Sequence, residues 1–542
     1  MAPMRFGAKR RFAPRFEVEE RAPVVHKPLD GGMDVSIPAW DPRMTIGPVK
    51  SPFSENTRID NGVVSKAWGL ARLGAQSAAA DKHVMALSEF ELTTGTKFAM
   101  RVMPAQLERW NGSAWLALTG ALTGSNQVHP DTLVVDDLDY FLVANGADTI
   151  RRWDGVDVNA VVALSASAPV ARLLAFFLGR IIAADIGTGG GRNQERIQIS
   201  DDTDLTDFAA GNSDDLVIAP DSRERPSGIR GLSLLFKRFY VYRQNSIWEA
   251  APTGVPTSPL TFDEASADVG LIAGKSLDRF DPIGDIFLGT GSTVYVFGGG
   301  SRPIPVGLPV QRDMAASITN LDRVYGVVDK TRHEYWLIAP TFGSSYCDLA
   351  WVWQIDPWIT EQRLVWTRRK LPAEMVSLGE GDVVTGTTVI DAETRLINDI
   401  TELIDQWGAG QTFRSLLLGS VDGYAAYPGE TQFTDEGIGG FEATHDLPQI
   451  GTSEREGWID YVYVEYRSLQ QATIQFDYST DGGTVYGNPV QMTLPAAPKG
   501  STVPAFVGLS FDTVLPRLRF LGDARPEIVG IKHTVLPRGV NR

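Results

Sequence analysis

The sequence has little of several residue types on which common classes of function depend. Cys347 is the one cysteine in 542 residues, so no disulfide can form within the chain. This cysteine content fits folding in the cytoplasm, and we expect Cys347 to be a small apolar core residue. Lys and Arg total 50 against 66 Asp and Glu, which gives a net charge of −16. A general nucleic-acid binder is therefore disfavoured, because such proteins neutralise phosphates with basic side chains. An acidic surface is still compatible with DNA that passes without adhering.

Long apolar runs and catalytic motifs are also missing from the sequence. No segment approaches about 18 uninterrupted apolar residues, so we expect no transmembrane helix. The basic residues at the N-terminus precede no apolar run, which argues against a secretory signal. No Gly-x-Ser-x-Gly elbow occurs. The histidines are scattered without the short spacing of a zinc-binding helix or finger, at His26, His83, His129, His333, His445 and His533. We predict no catalytic, cofactor-binding or metal site and no enzyme activity.

Turn-forming residues, by contrast, are abundant, with 54 glycines and 32 prolines. Between them lie short runs rich in β-branched and aromatic residues, which is how strands and hairpins appear in a sequence. Such runs include KFAMRVM, DYFLVANG, GRIIAADIG, KRFYVYRQNSIWEA, IFLGTGSTVYVFGGG, EYWLIAP and LAWVWQIDPW. The sequence therefore predicts an all-β fold.

One turn signal is written twice, as Arg-Trp-Asn-Gly from Arg109 and as Arg-Trp-Asp-Gly from Arg152. Asn-Gly and Asp-Gly supply the positive φ that tight hairpins require. Similar strand and turn landmarks recur at one or two units of about 40–50 residues, the period of a four-stranded propeller blade. We predict a β-propeller in which Trp110 and Trp153 pack between neighbouring sheets while the arginines reach water.

The pattern divides the chain into three parts. Residues 1–60 are rich in proline, which fixes φ and removes an amide donor, so they are predicted to form an extended arm that is basic at its start. This arm is either a solvated, partly disordered terminus or a segment that orders against a neighbouring subunit or nucleic acid. Residues 61–430 are assigned to the propeller. Residues 431–542 alternate with period two, as in Val462, Val464 and Tyr466, and are predicted to form a C-terminal antiparallel β-sandwich.

Three short motifs invite a chemical interpretation, and each has a simpler structural one. GTGGGR from Gly187 lacks the Lys-Ser/Thr and the helix of a phosphate loop, so we predict a hairpin loop. SDDTDLTDF from Ser200 lacks the calcium-loop spacing, and its aspartates (Asp201, Asp202, Asp204, Asp207) are expected to cap local amides. STDGGTVY from Ser479 approximates the Asp box of sialidase-like propellers, which is a structural hairpin, and no spacing singles out the paired carboxylates of a glycosidase.

The tryptophans leave a further alternative open. Trp351, Trp353 and Trp358 are candidate sugar platforms of a glycan-binding or receptor-binding propeller. Since Trp351 and Trp353 alternate in a strand-like run, core packing is the simpler interpretation.

Several stretches, taken in order, resemble the β-propeller tail nozzle or tail hub proteins of short-tailed bacteriophages, also described as packaged-DNA-stabilisation proteins. They are ERIQISDDTDLTDF, GIRGLSLLFKRFYVYRQNSIWEA, DVGLIAGKSL, DIFLGTGSTVYVFGG, EYWLIAPTFGSSYCDLAWVWQIDPW, LINDITELIDQWG, LLLGSVDGYAAY and VYVEYRSLQQATIQFDYSTDGG, within residues 55–490.

The resemblance implies a structural virion protein without catalytic residues. Family members form a hexameric ring below the portal and adaptor rings, continue the DNA channel, retain the packaged genome and carry fibres or spikes. It therefore implies a homo-oligomer, a head-to-tail adaptor, tail fibres or spikes, and double-stranded DNA that passes without sequence-specific binding. The implied location is the virion tail, assembled in the host bacterial cytoplasm. A glycan-binding propeller and a sialidase-like glycosidase remain the alternatives.

Overall fold

The structure is a computed structural model that describes residues 22–60, 62–125, 129–188, 191–218, 227–300, 302–385, 411–429, 434–435, 439–451 and 457–537. Strands account for 55% of it and helices for 5%. The all-β prediction is confirmed. Within these ranges no helix has both the length and the apolar character needed to cross a membrane.

Five short strands precede the first propeller blade. They are β1 (Ala22–His26), β2 (Ser54–Glu55), β3 (Thr57–Asp60), β4 (Val63–Lys66) and β5 (Gly69–Arg72).

Six consecutive blades follow along the chain, each with four antiparallel strands in sequence order; the first five are separate sheets, and the sixth is part of a larger sheet. The first three comprise β6 (Ala86–Glu91), β7 (Lys97–Val102), β8 (Leu107–Trp110), β9 (Trp115–Ala117); β10 (Asp131–Val135), β11 (Tyr140–Ala144), β12 (Arg151–Trp153), β13 (Val162–Ala163); and β14 (Leu173–Phe177), β15 (Arg180–Thr188), β16 (Gly191–Ile199), β17 (Asp214–Val217). The next three comprise β18 (Ile229–Leu235), β19 (Arg238–Arg243), β20 (Ile247–Val255), β21 (Ser258–Ser266); β22 (Asp278–Phe280), β23 (Gly284–Gly289), β24 (Thr293–Phe297), β25 (Ile304–Pro305); and β26 (Tyr325–Asp329), β27 (Glu334–Ala339), β28 (Cys347–Gln354), β29 (Val365–Thr385).

The helices and the remaining strands complete the described fold. Helix α1 (Gln311–Ser317) precedes the sixth blade, helix α2 (Asp356–Glu361) joins β28 to β29, and single 3-10 turns span Pro42–Met44, Asp136–Leu138, Leu308–Val310 and Leu321–Arg323. The last strands are β30 (Gln411–Ser420), β31 (Ala425–Gly429), β32 (Thr434–Asp435), β33 (Gly439–Gly440), β34 (Ala443–Asp446), β35 (Ile450–Gly451), β36 (Gly457–Ser468), β37 (Ala472–Ser479), β38 (Gly487–Leu494), β39 (Ala497–Phe511), β40 (Thr513–Leu521) and β41 (Glu527–Pro537).

A seventh blade closes the ring with strands from distant parts of the chain. Strand β29 serves two blades, since residues 365–370 pair with β28 and residues 375–385 pair with β30. Strand β31 follows β30, and the N-terminal strand β5 pairs with β31 as the outermost strand. The start and the end of the propeller are therefore joined by backbone hydrogen bonds within one sheet.

The blades are held together by their apolar faces. Each of the seven boundaries between neighbouring blades contains its own cluster of buried hydrophobic residues, and the seventh blade packs in the same way against the first. Because each sheet has an apolar face that only its neighbour covers, the ring must close for every face to be buried. The predicted β-propeller is confirmed, and the described residues form seven blades.

The repeated tetrapeptide is a blade hairpin, as predicted. Trp110 ends β8 and Trp153 ends β12, both before the outer strand of their blades. Both indoles are buried, Trp110 between the seventh and first blades and Trp153 between the first and second. The expectation that the arginines reach water is wrong for Arg109, which is 8% exposed and forms an ion pair with Asp157 of the next blade.

The predicted C-terminal sandwich has two sheets that enclose one core. One sheet has the order β3-β4-β41-β36-β39, with β1 also on β41, and the other contains β2, β34, β40, β37 and β38. Val462, Val464 and Tyr466 point into the core, opposite Ile474 and Phe476 of the second sheet. The period-two alternation in the sequence thus correctly assigned the buried face of these strands.

Residues 22–60 and 62–66 contribute strands β1–β4 to this sandwich, whereas Met33, between β1 and β2, packs in the core between the fifth and sixth blades. They take the extended course that the prolines indicate, but β1 and β4 pair with β41, and β2 pairs with β34. Strand β2 also pairs in parallel with β29, at Glu55 and Arg368, so the sheet of the sixth blade continues into the sandwich. The domain boundaries at 60 and 430 stay predictions. The basic start of the arm, residues 1–21, lies outside the described residues.

Candidate functional site: the central cavity of the propeller

A polar cavity of about 390 Å³ lies where the first strands of the blades meet. It is lined by residues of β6, β10, β14, β18, β22, β26 and β29, so every blade contributes to it. A cavity of this size matches a small-molecule site. We refer to it as the central cavity.

An ion pair spans the ring at this cavity. The Lys275 ammonium, on the segment that leads into the fifth blade, lies 3.0 Å from the Asp131 carboxylate at the start of the second blade. The second oxygen of Asp131 accepts a hydrogen bond from the Leu174 amide in the third blade. The backbone of Lys275 forms an isolated β-bridge with Tyr325 of the sixth blade. These contacts connect blades on opposite sides of the ring.

A second charged cluster joins the first, sixth and seventh blades. Glu380 of the seventh blade lies 3.2 Å from the ammonium of Lys330 and 2.9 Å from the guanidinium of Arg414. Arg414 also lies 3.4 Å from Glu89 of the first blade. Lys97 lies 3.3 Å from Glu89 and 3.3 Å from Asp382. Burial lowers the pKa of Lys97, but the charge of Glu89 and the hydrogen bonds and charge of the neighbouring carboxylates outweigh this effect and raise the pKa above its usual value.

Burial shifts the pKa values of His129, Asp278 and Tyr325, three titratable groups of the cavity, in the direction that favours the neutral form. Burial lowers the pKa of His129 to about 4, and its Nδ1 lies 2.9 Å from the Met85 carbonyl oxygen. Burial raises the pKa of Asp278, although the Val328 amide donates a hydrogen bond to it at 2.7 Å. The Tyr325 hydroxyl is buried and has no hydrogen-bond partner in the described part of the chain; burial raises its pKa well above its usual value.

This arrangement favours a structural role for the cavity charges. A glycosidase needs two carboxyl groups that are available to the substrate as acid and as base or nucleophile. Here the carboxylates of Glu89, Asp131 and Glu380 are already ion-paired with Arg414, Lys275 and Lys330, and each of these pairs links two separate blades. The lysine and arginine partners are partly exposed, so each pair contributes only about 0–1 kcal/mol. Together the pairs still orient neighbouring blades relative to one another.

The three short motifs lie in loops and hairpins, as predicted. GTGGGR joins β15 to β16, and two of its residues lie outside the described ranges. The aspartates after Ser200 bind local amides: Asp201 accepts from Thr203, and Asp204 accepts from Thr206. The loop from Ser479 joins β37 to β38, and Asp481 accepts amide hydrogen bonds from Thr484 and Val485 at 3.0 Å. Within the described ranges, no three His, Cys, Asp or Glu residues are grouped so as to hold a metal ion.

The single cysteine, Trp351 and Trp353 are core residues, and Trp358 is partly buried. Cys347 is buried between the sixth and seventh blades, as expected. Trp351 and Trp353 are fully buried between the fifth and sixth blades, and Trp358 packs against Trp353 with ring centroids 5.9 Å apart. The core interpretation of Trp351 and Trp353 is confirmed.

Three of the histidines that are scattered in the sequence come together in the sandwich. The rings of His26 and His533 lie 5.8 Å apart, and none of their four nitrogens has a hydrogen-bond partner among the described residues. His445 faces the same core, with its Nδ1 3.0 Å from the Ser54 hydroxyl. Sequence spacing held no signal for this cluster, because it is assembled from strands β1, β34 and β41.

Comparison with known proteins gives likenesses of strand layout at low identity. A chain of a crystal structure of a mitotic checkpoint complex is 9% identical, over 67% of this chain and 94% of that chain, with a TM-score of 0.37. The WD40 domain of Pan2 from Neurospora crassa is 10% identical, over 68% and 99%, with a TM-score of 0.38. An exo-β-1,3-galactanase from Phanerochaete chrysosporium, with a bound galactotriose, is 10% identical, over 87% and 99%, with a TM-score of 0.26.

The protein-family models and the curated proteins contain no match to this chain. The propeller assignment accordingly rests on the seven blades, five of them separate four-stranded sheets and two of them parts of one larger sheet, and on the apolar clusters between the blades.

Proposed function

We propose that this chain is a structural subunit of a bacteriophage tail, and that several copies, six in the arrangement that the sequence resemblance implies, form a ring below the portal and adaptor. The ring continues the channel for the genome, helps retain the packaged DNA, and carries fibres or spikes. The observation that carries the proposal is the ordered series of tail-nozzle-like stretches in the sequence. Of these, LINDITELIDQWG lies outside the described residues, and the others fall on successive blades and on the sandwich.

The small volume of the central cavity supports a role in which each propeller forms part of the wall of a channel, rather than the channel itself. It holds about 390 Å³ and is crossed by the Lys275–Asp131 ion pair, so a DNA duplex cannot pass along the axis of a single propeller. A conduit for DNA would have to be enclosed by several copies of the chain. The connection between propeller and sandwich, through the shared sheet at β29 and β2, suits a subunit that bears mechanical load.

The charge of the chain is compatible with such a channel. A net charge of −16 disfavours tight binding of the DNA backbone, which carries one negative charge per about 1.7 Å of duplex. We propose that DNA slides past this surface and that the subunit catalyses no reaction. The isolated subunit is expected to be a monomer or weak oligomer that completes its ring on an adaptor template.

Two measurements on purified virions test this proposal. Mass spectrometry should detect the chain at a few copies per particle, and cryo-electron microscopy should place six propellers around an axial channel at the tail vertex. Absence of the chain from virions would refute the proposal. A stable hexamer formed by the recombinant chain alone would refute the template step but not the location.

A further inference from the structure

A polar groove of about 490 Å³ lies on the outer face of the second sandwich sheet. We call it the sandwich groove; its floor is formed by outward-facing side chains of β34, β37 and β40, and one wall is the hairpin between β37 and β38. It is separate from the central cavity. Its polar lining includes Thr444, Gln475, Asp477, Tyr486, Arg517 and Arg519.

One end of the groove is organised around a buried carboxylate. Asp446 accepts two hydrogen bonds from the Arg517 guanidinium, at 2.6 and 2.9 Å, and a third from the Tyr486 hydroxyl at 2.8 Å. The Arg517 guanidinium lies 3.7 Å from the centre of the Tyr486 ring. The Asp481 loop, which bonds its own amides, holds Tyr486 at the start of the next strand. The tyrosine ring is thus fixed before any ligand arrives.

The other end carries a second, more open network. The Arg519 guanidinium lies 3.2 Å from Asp477 and 2.5 Å from Glu442. The Gln475 side-chain amide donates to Asp477 at 2.7 Å. Gln475 and Arg519 are only partly buried, and Glu442 is exposed. The amide of Gln475, the carboxylate of Asp477 and the guanidinium of Arg519 thus place hydrogen-bond donors and acceptors next to one another on the outer face of the sheet.

The balance of charges limits which ligands the groove can bind. Three carboxylates (Glu442, Asp446, Asp477) face two guanidiniums (Arg517, Arg519), and each guanidinium is already paired. A phosphate or sulfate would need an unpaired cation, and an apolar peptide would need an apolar floor. A hydroxyl group can both donate and accept, so a neutral polyhydroxylated ligand can join a satisfied network without breaking an ion pair.

We propose that the sandwich groove binds a neutral oligosaccharide. Neighbouring hydroxyl groups of the sugar hydrogen-bond to Asp477, Gln475 and Arg519, and the apolar face of a sugar ring packs against Tyr486 and Pro489. The volume is within the range of small-molecule sites. This site lies outside the propeller and does not involve the buried tryptophans. It is also independent of the proposed tail location, so either proposal can fail alone.

The test uses the full chain and a panel of neutral disaccharides, including lactose, maltose and cellobiose, at millimolar concentration, with binding measured by saturation-transfer NMR and calorimetry. We expect at least one disaccharide to bind. Arg519→Gln should weaken binding at least about tenfold, the effect of losing roughly one well-formed hydrogen bond to a charged group. Gln475→Ala, which breaks no ion pair and removes a hydrogen bond between neutral groups, should weaken binding about three- to tenfold.

The matched control is Arg467→Gln, at an exposed position of β36 in the other sheet, which should leave the affinity unchanged. Circular dichroism establishes that the variants are folded. The proposal is overturned if no disaccharide of the panel binds, or if binding survives both groove substitutions. Binding of inorganic phosphate that depends on Arg519 would overturn it in favour of an anion site.

Discussion

Mild acid is expected to loosen the sandwich before the propeller, because His26, His445 and His533 lie in the sandwich core as neutral rings. Burial lowers the pKa of His26 from 6.5 to about 4 and that of His445 from 6.5 to about 3, and it lowers the pKa of His533 well below 6.5. The groups that face them are the Ser54 and Tyr478 hydroxyls and the Phe476 ring. No carboxylate of the described residues forms a hydrogen bond or ion pair with these three rings.

The direction and size of the effect follow from proton linkage. Below about pH 6.5 the unfolded chain binds a proton at each histidine and the folded chain does not, so stability falls as the pH decreases. The loss is confined to the window from about 6.5 down to the folded-state pKa values. At pH 5, His26 and His445 have each lowered the free energy of unfolding by about 2 kcal/mol, which gives about 4 kcal/mol together. His533 adds to this loss. That is a large share of the roughly 5–15 kcal/mol of a typical domain.

The propeller is expected to lose less over the same interval. His129 is its one strongly shifted histidine among the described residues, with a pKa of about 4, and costs about 2 kcal/mol at pH 5. Burial raises the pKa of Asp285 to about 6, so the folded state takes up a proton there before the unfolded state does. This proton uptake raises the free energy of unfolding by about 1 kcal/mol at pH 5. Burial also raises the pKa of Asp446 in the sandwich, which offsets part of the loss there. Three strongly shifted histidines in the sandwich against one in the propeller still give the sandwich the larger net acid sensitivity among the described residues.

Hydrogen exchange at about pH 7 and pH 5, corrected for the intrinsic exchange rate, measures the opening free energy of each region. Between about pH 7 and pH 5, the opening free energy of the peptide Glu527–Pro537 of β41 should fall by at least about 4 kcal/mol. The opening free energy of the peptide Glu334–Ala339 of β27 should fall much less. His26→Leu should reduce the loss in β41 by about 2 kcal/mol, whereas His333→Gln, at an exposed position, should not. Equal losses in both peptides, or a loss that His26→Leu leaves unchanged, would refute the reasoning.

Three further predictions concern the contacts that close the fold. Trp153→Ala empties the space between the first two blades and should lower the free energy of unfolding by about 3–5 kcal/mol in chemical denaturation, whereas Val158→Ala at an exposed site should be nearly neutral. Asp435→Asn leaves the Arg369 guanidinium, 2.7 Å away and buried, without its counter-charge; a loss of about 3–5 kcal/mol is expected, and a loss below about 1 kcal/mol would contradict the buried ion pair. Ala71→Pro removes an amide donor from β5 opposite Tyr427, so limited proteolysis should cut the seventh blade faster than in the parent chain; unchanged cleavage would mean that this strand does not hold the ring closed.

Local patterns predicted those parts of the fold whose signal lies within a few residues. The alternation of Val462, Val464 and Tyr466 assigned the buried face of β36, and the repeated Arg-Trp-(Asn/Asp)-Gly turn located two blade hairpins with their buried tryptophans. In both cases a single strand or turn carries the physical cause, namely a two-residue period or a positive φ.

Features that depend on pairing between distant segments could not be predicted in this way. The four residues of β5 pair with β31, which lies more than 350 positions later in the chain. The sequence of Gly69–Arg72 contains no signal that identifies β31 as the pairing strand. The 21-residue β29 belongs to two blades, which hides the blade count from any search for a period. The Lys275–Asp131 pair and the sandwich groove join side chains from separate elements, so their chemistry exists only after folding.

The placement of the first strands has a consequence for synthesis on the ribosome. Strand β5 leaves the exit tunnel early but has no partner until β31 has been translated, and β1 waits for β41, almost at the end of the described chain. The nascent chain must therefore keep its opening segments unpaired while six blades form behind them. Any truncated product that stops before β41 is released with β1 unpaired, so only chains that extend through β41 reach the fold described here.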